Sequence, residues 1–146
     1  MTDREPTKRR HDFSLFGDEH VRRYRETDGE VGGIWNGAAC CILTTSRSSG
    51  AHRDTPLIYG RDGDSIVLVA SAGGSPTDPW WYRDLVREPT VRVQVLADHW
   101  RAVARTASGA EKERLWSQMA AIWPDYDSYR HKTERDIPVV VLDPVG

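Results

Sequence analysis

A chain of 146 residues with a formal net charge of −2 is about one domain, long enough to bury roughly two-thirds of its unfolded surface. Its 20 basic residues are scattered among 22 acidic ones, which excludes the basic footprint of a nucleic-acid binder. No apolar run approaches the ~20 residues that span a bilayer, and no apolar signal core follows Met1, so a cytoplasmic protein without an integral membrane segment is expected.

Residues 1–12 are charged and nearly free of apolar side chains, and read as a frayed tail. From Phe13, the positions Phe13, Phe16, His20, Val21 and Tyr24 recur at helical spacing, which predicts a short amphipathic helix ending around Thr27–Gly29. Such a helix can dock on the domain, cover a ligand or make peripheral contact with a membrane surface, and its mixed charge favours the last least. Gly29, Gly32, Gly33 and Gly37 then punctuate an extended connection that contains Trp35.

Five strands are predicted next, at Ala38–Thr45, Pro56–Gly60, Ser65–Ser71, Val91–Leu96 and Trp100–Thr106, with a sixth at Pro138–Leu142. Arg61-Asp62-Gly63-Asp64 carries the Asp-Gly signal of a hairpin, and Asp98-His99 is expected to turn the fourth strand into the fifth. Helices are predicted around Trp80–Arg87, ended by Pro89, and around Ala110–Ile122, the latter with Leu115, Met119 and Ile122 on one face. Short antiparallel strands outnumbering helices predict a mainly β, barrel-like α+β fold of about six strands with an N-terminal helix and two or three others.

Three stretches carry candidate chemistry. Thr44–Leu57 reads TTSRSSGAHRDTPL, two apolar runs joined by a loop rich in hydroxyls with Arg47 and Arg53; it is either a solvated hairpin or an anion site. Ala70-Ser71-Ala72-Gly73-Gly74 ends a strand, and Pro79-Trp80-Trp81-Tyr82 opens a helix. The glycine pair either serves the turn alone or lets backbone approach a ligand, with the helix N–H groups aimed at the same place. Tyr126 and Tyr129 share a helical face and are either core edges or phenols offered to an oxyanion. Six tryptophans make a supply of flat walls for an aromatic ligand. Cys40 and Cys41 are adjacent in a strand, without metal-ligand spacing, and are expected to be buried reduced thiols. No GxSxG, HExxH, P-loop or GxGxxG motif is present, and His52 reads as a polar loop residue rather than a general base.

Several words in order resemble the deazaflavin-dependent nitroreductase family of actinobacteria, whose members use coenzyme F420. They are Tyr24-Arg25-Glu26-Thr27 with Gly29 and Gly32; Leu43-Thr44-Thr45 leading to Arg47-x-Ser49-Gly50 and Arg53-x-x-Pro56-Leu57; Ala70-Ser71-x-Gly73-Gly74; Pro79-x-Trp81-Tyr82; and Thr133-x-Arg135-x-Ile137-Pro138-Val139-Val140. The resemblance implies an FMN-binding-like split β-barrel over residues 31–146, preceded by the tail and helix of residues 1–30. It implies that the loop with Arg47, Ser49, Gly50, Arg53, Pro56 and Leu57 holds the coenzyme's phosphate and oligoglutamate tail. Ser71, Ala72, Gly73 and Gly74, with Pro79, Trp80, Trp81 and Tyr82, would lie along the deazaflavin ring, and Tyr126 and Tyr129 would look onto the substrate. The implied activity is hydride transfer from the reduced coenzyme to a quinone, nitroaromatic or activated enone, by a monomer or homodimer with no metal. An FMN-dependent reductase on the same scaffold and a carrier without turnover are the alternatives. Ser46 and Ser48 stand where similar proteins carry Gly and a cation, and Asp78 and Asp84 where His or Asn is commoner, which is expected to weaken the hold on a polyanionic tail.

Overall fold

The computed structural model describes Leu15 and residues 17–145; Phe13, Phe16 and the amino-terminal tail lie outside the described residues. A helix α1 (Gly17–Glu26) is followed by strands β1 (Ile34–Trp35), β2 (Ala38–Ser46), β3 (His52–Ile58), β4 (Gly60–Asp62) and β5 (Ser65–Val69). A 3-10 turn at Ala72–Gly74 leads to α2 (Trp80–Arg87), then β6 (Thr90–Val95), β7 (Asp98–Thr106), α3 (Gly109–Ile122), α4 (Asp125–Lys132) and β8 (Val139–Pro144).

All strand pairs are antiparallel, and the sheet runs β1-β2-β6-β7-β8-β5-β4, with β3 branching from β2. β3 pairs only with β2, so its other edge is open. The sheet curls into a half-barrel rather than closing. Eight strands form where about six were predicted, because β1 and β4 are only two and three residues long and carry no readable period.

Burial follows from side-chain alternation across the curled sheet. Cys41 and Leu43 of β2, Ile66 and Leu68 of β5, and Val140 and Leu142 of β8 fill the concave side, which Trp81 and Leu85 of α2 close. Val67, Val69, Val139 and Val141 point the other way, under Leu115, Trp116 and Met119 of α3 and Tyr126 of α4. β5 and β8 are covered on both faces, which is why they read as continuous apolar runs. On the α3 face Ile122 lies at the exposed edge, and Trp116 takes the buried place.

α1 packs on Ile42 of β2 through Val21 and Tyr24. The Tyr24 hydroxyl donates to the Cys40 carbonyl at 3.1 Å and accepts from the Leu96 N–H at 2.7 Å, tying the helix to β2 and to the β6–β7 turn. Its apolar face is thus covered, and the outward face carries Arg22 ion-paired with Glu19 and Glu26. Gly29 ends the helix at φ 83°, where any side chain would strike Leu96.

Two turn expectations change. Asp98 and His99 belong to β7, and the β6–β7 turn is Leu96-Ala97, with Leu96 at φ 55°. The predicted strand Pro56–Gly60 divides into β3 and β4, and β3 starts earlier, at His52. The polar residues there are strand residues because both faces find partners. Asp54 receives Thr44 Oγ1 at 2.6 Å and a two-pronged Arg25 at 3.0 and 3.1 Å, while Arg53 turns to the opposite face. No helix among the described residues is long and apolar enough to cross a membrane.

Candidate active site

The open edge of β3 faces a cavity of about 470 Å³, within the size range of small-molecule sites. Pro56 and Leu57 approach it edge-on from β3, and the missing N–H of Pro56 costs no ladder bond on that side. Opposite lie Ser71, Ala72 and Gly73, Trp81 from α2, and Tyr126 and Tyr129 from α4. Eight residues predicted from sequence therefore come together here.

The turn from Ala72 to Gly74 has positive φ throughout, at 47°, 64° and 85°. Nothing lies within 4 Å of the place a Gly73 side chain would take, so its backbone borders open space. Gly74 serves another purpose: a side chain there would meet Lys132 at 3.0 Å and the Tyr129 carbonyl at 3.2 Å, so the glycine seats the turn on α4.

Arg135 holds this turn. Its guanidinium donates to the carbonyls of Ser75 at 2.8 Å, Ser71 at 2.8 Å and Ala70 at 3.2 Å, and pairs with Asp78 at 2.8 Å. Sequence reading missed this role, because Arg135 lies in an irregular segment far along the chain and only the folded turn brings the carbonyls together. Arg135→Met keeps the stem and removes the fork, leaving those carbonyls unsatisfied. We expect a loss of about 1–2 kcal/mol in urea unfolding and weaker cofactor binding; unchanged stability and affinity would reduce Arg135 to a surface contact.

His20, Trp35, Cys40 and Trp123 also line the cavity and were not singled out as site residues. Trp35 and Trp123 pack with ring centroids 5.4 Å apart and planes tilted by 34°, so with Trp81 three of the six tryptophans line the cavity. His20 Nε2 donates to the Gly32 carbonyl at 2.8 Å. Burial pushes the Cys40 thiol up to about 12, so the cavity holds no thiolate at neutral pH, and Cys41 is free, buried and raised likewise.

The two tyrosines differ. Tyr126 is 5% exposed, packs edge-on to Tyr129 and has no hydrogen-bond partner for its hydroxyl among the described residues. Desolvation holds its phenol well above the ordinary tyrosine value. The Tyr129 hydroxyl accepts a long bond, 3.5 Å, from Trp123 Nε1.

Arg47 and Arg53 lie outside the cavity, on an adjoining groove shared with Arg25, His52 and Asp54. Arg47 opens a tight turn in which its N–H meets the Ala51 carbonyl at 2.8 Å; Gly50 supplies φ 91°, and Ser49 Oγ caps the Ala51 N–H at 3.3 Å. Arg47 is exposed, with no side-chain partner among the described residues. Arg53 was expected in an exposed loop, but its side chain is 27% exposed and Nε lies 2.7 Å from the buried Asp84. Asp84 also accepts from Thr45 Oγ1 at 2.8 Å and has Arg87 at 3.8 Å. The two aspartates that looked adverse to an anion are each neutralised, Asp78 by Arg135 and Asp84 by Arg53 and Arg87. Pro79 is the residue preceding α2. Trp80, 64% exposed, sits between Arg83 at 4.7 Å and Arg53 at 5.8 Å on the groove side, while the Tyr82 hydroxyl bonds Thr106 at 2.9 Å, away from the cavity.

The arrangement suits a flat, largely apolar ring with an anionic extension, and among the described residues there is no cluster that could hold a metal ion. The family model of F420H(2)-dependent quinone reductase matches residues 17–144. An F420H(2)-dependent quinone reductase of Mycobacterium tuberculosis is 36% identical over 128 residues, which is 84% of this chain and 86% of that one. A solved F420-H2 dependent reductase (FDR-A) superposes with a TM-score of 0.68 at 34% identity, over 71% of this chain and 93% of its own. Another solved structure, a domain-swapped dimer, gives 0.69 at 32% identity, over 84% of this chain and 96% of its own. The words that resemble deazaflavin-dependent nitroreductases thus fall within a match to the quinone reductases, and the chain belongs to the F420H(2)-dependent quinone reductase family.

Proposed function

We propose that this chain is an oxidoreductase that transfers a hydride from reduced coenzyme F420 to a quinone, with nitroaromatics and activated enones as further electron-poor acceptors. The observation that carries the reading is the cavity itself: an open strand edge on one side, a left-handed turn with free space at Gly73 on the other, and on the adjoining groove an arginine without a side-chain partner among the described residues. When bound, the deazaflavin supplies the hydride chemistry.

The chain's own residues bind and orient. Pro56, Leu57 and the Ser71–Gly73 backbone would hold the ring, and Trp35, Trp81 and Trp123 would exclude water from its surroundings. Arg47, with the Ser49–Gly50 turn, takes the phosphate end of the coenzyme, and Arg53 flanks it, held by Asp84. Two-electron reduction of a quinone adds one hydride and one proton. Tyr126 or Tyr129 hydrogen-bonds the acceptor oxygen as negative charge gathers there, and the proton reaches it from the phenol or from solvent.

Titration followed by fluorescence quenching tests the cofactor: coenzyme F420 is expected to bind at least tenfold more tightly than FMN, a difference of about 1.4 kcal/mol. FMN binding as tight or tighter moves the chain to the FMN-dependent alternative. Tight F420 binding with no quinone reduction makes it a carrier.

A further inference from the structure

On the convex face of the half-barrel, beside α1, lies a second cleft of about 380 Å³ that the proposed activity does not use. Its floor is a row of cross-strand neighbours: Asp54 of β3 opposite Thr44 of β2, Thr44 opposite Arg92 of β6, and Arg92 opposite Arg101 of β7. Asp54 is already satisfied by Arg25 and Thr44. Arg92 and Arg101 are both exposed, and neither guanidinium has a hydrogen-bond or ion-pair partner among the described residues. Like charges directly opposite on a sheet destabilise it, so the pair persists at a cost. His52 and His99 complete the lining, which sets three arginines against one carboxylate in a chain whose net charge is −2.

The cleft adjoins the arginine groove, with the Arg25–Asp54 ion pair on the border that they share. Arg25, His52 and Asp54 line both, and that groove also holds Arg47 and Arg53. Its acids are engaged or at the helix end: Glu26 pairs with Arg22, and Asp18 sits in the first turn of α1. Among the described residues, guanidinium groups without partners therefore stand at both ends of this path, Arg47 at one and Arg92 with Arg101 at the other, with His52 and the paired Arg25 between them.

We infer that this cleft is a binding site for a flexible chain of carboxylates entering from the arginine groove, and that Arg92 and Arg101 hold the distal acidic units of the cofactor's oligoglutamate tail. The inference rests on the cofactor reading given under Proposed function. Ser48 adds no charge beside Arg47 at the near end of the track, and the cross-strand pair of Arg92 and Arg101 places charge farther out.

The test uses the full chain and two forms of the coenzyme, one with a single glutamate and one with a long oligoglutamate tail, titrated across sodium chloride concentrations. The parent is expected to bind the long form about tenfold more tightly, since two exposed charge contacts contribute roughly threefold each, with a steeper salt dependence. In the double variant Arg92→Gln, Arg101→Gln the two forms become equal, through loss of affinity for the long one alone. Thermal unfolding of that variant should match the parent or rise, because the mutual repulsion is gone.

Equal binding of both forms by the parent, or equal loss of both in the variant, overturns the inference while leaving the cofactor reading intact. No binding of either form by the parent overturns both. Competition separates the sources of anion: a free oligo-γ-glutamate peptide should displace the long form's advantage at concentrations where inorganic phosphate does not. Displacement by phosphate at the same concentration would make the cleft a general anion site and defeat the tail assignment.

Discussion

Asp84→Ala is expected to destabilise the fold by about 3 kcal/mol, seen as a lower urea midpoint with an unchanged slope. The carboxylate is only 3% exposed and accepts from Thr45 Oγ1 and Arg53 Nε, with Arg87 nearby. Removing it leaves a part-buried guanidinium facing an empty space between β2, β3 and α2. Asparagine keeps the volume and one acceptor for Thr45, so Asp84→Asn should cost less than the alanine change. The two groove arginines then separate. Arg53→Ala strands Asp84 with a single cation at 3.8 Å and should lower stability as well as coenzyme affinity. Arg47→Ala removes an exposed side chain without a partner among the described residues and should lower affinity alone. Full stability of Asp84→Ala would mean that the carboxylate is hydrated in solution and the buried pairing assigned to it is wrong.

What the sequence left unread follows from the physics of each residue. β5, β6, β7, β8 and α2 were legible because their apolar pattern or boundary proline is local. The start of β3 was not. Arg53 and Asp54 look like loop residues until Asp84, 31 positions from Arg53, and Arg25 are folded against opposite faces of the strand. Arg135 escaped for the same reason, since its partners are backbone carbonyls at Ala70, Ser71 and Ser75 that no side-chain pattern announces. His20 was legible only as one more position on the α1 face; that this position borders the cavity depends on how α1 crosses β2. The family words included the turn, and the resemblance that they carry pointed to the tyrosines; Ser71, Ala72, Gly73, Tyr126 and Tyr129 line one cavity. They did not distinguish residues that border the cavity, such as Gly73 and Trp81, from residues that only build its frame, such as Gly74 and Tyr82.

Tyr126→Phe should lower turnover of reduced coenzyme F420 with menadione by about 100-fold while leaving coenzyme affinity near that of the parent. As the hydride arrives, charge develops on the acceptor oxygen, and a phenol O–H aimed there stabilises the transition state more than the bound quinone. Tyr126 suits the role because it is buried at the cavity wall and its hydroxyl has no partner among the described residues to compete for the hydrogen. Tyr129 is more exposed and its oxygen receives Trp123, so solvent can replace its donor and Tyr129→Phe should cost less. The two rings meet edge to face, centroids 6.2 Å apart, and phenylalanine preserves that contact, so a fall in rate reads the hydroxyl and not the packing. The pH profile gives a second reading. Because burial raises the Tyr126 pKa, the donor stays protonated beyond the ordinary tyrosine value of about 10, and rate should not fall on the alkaline side before that point. A single alkaline limb near pH 8 would belong to another group. If both single variants and the double variant keep full turnover, the tyrosines are walls of the cavity and solvent alone supports the oxyanion.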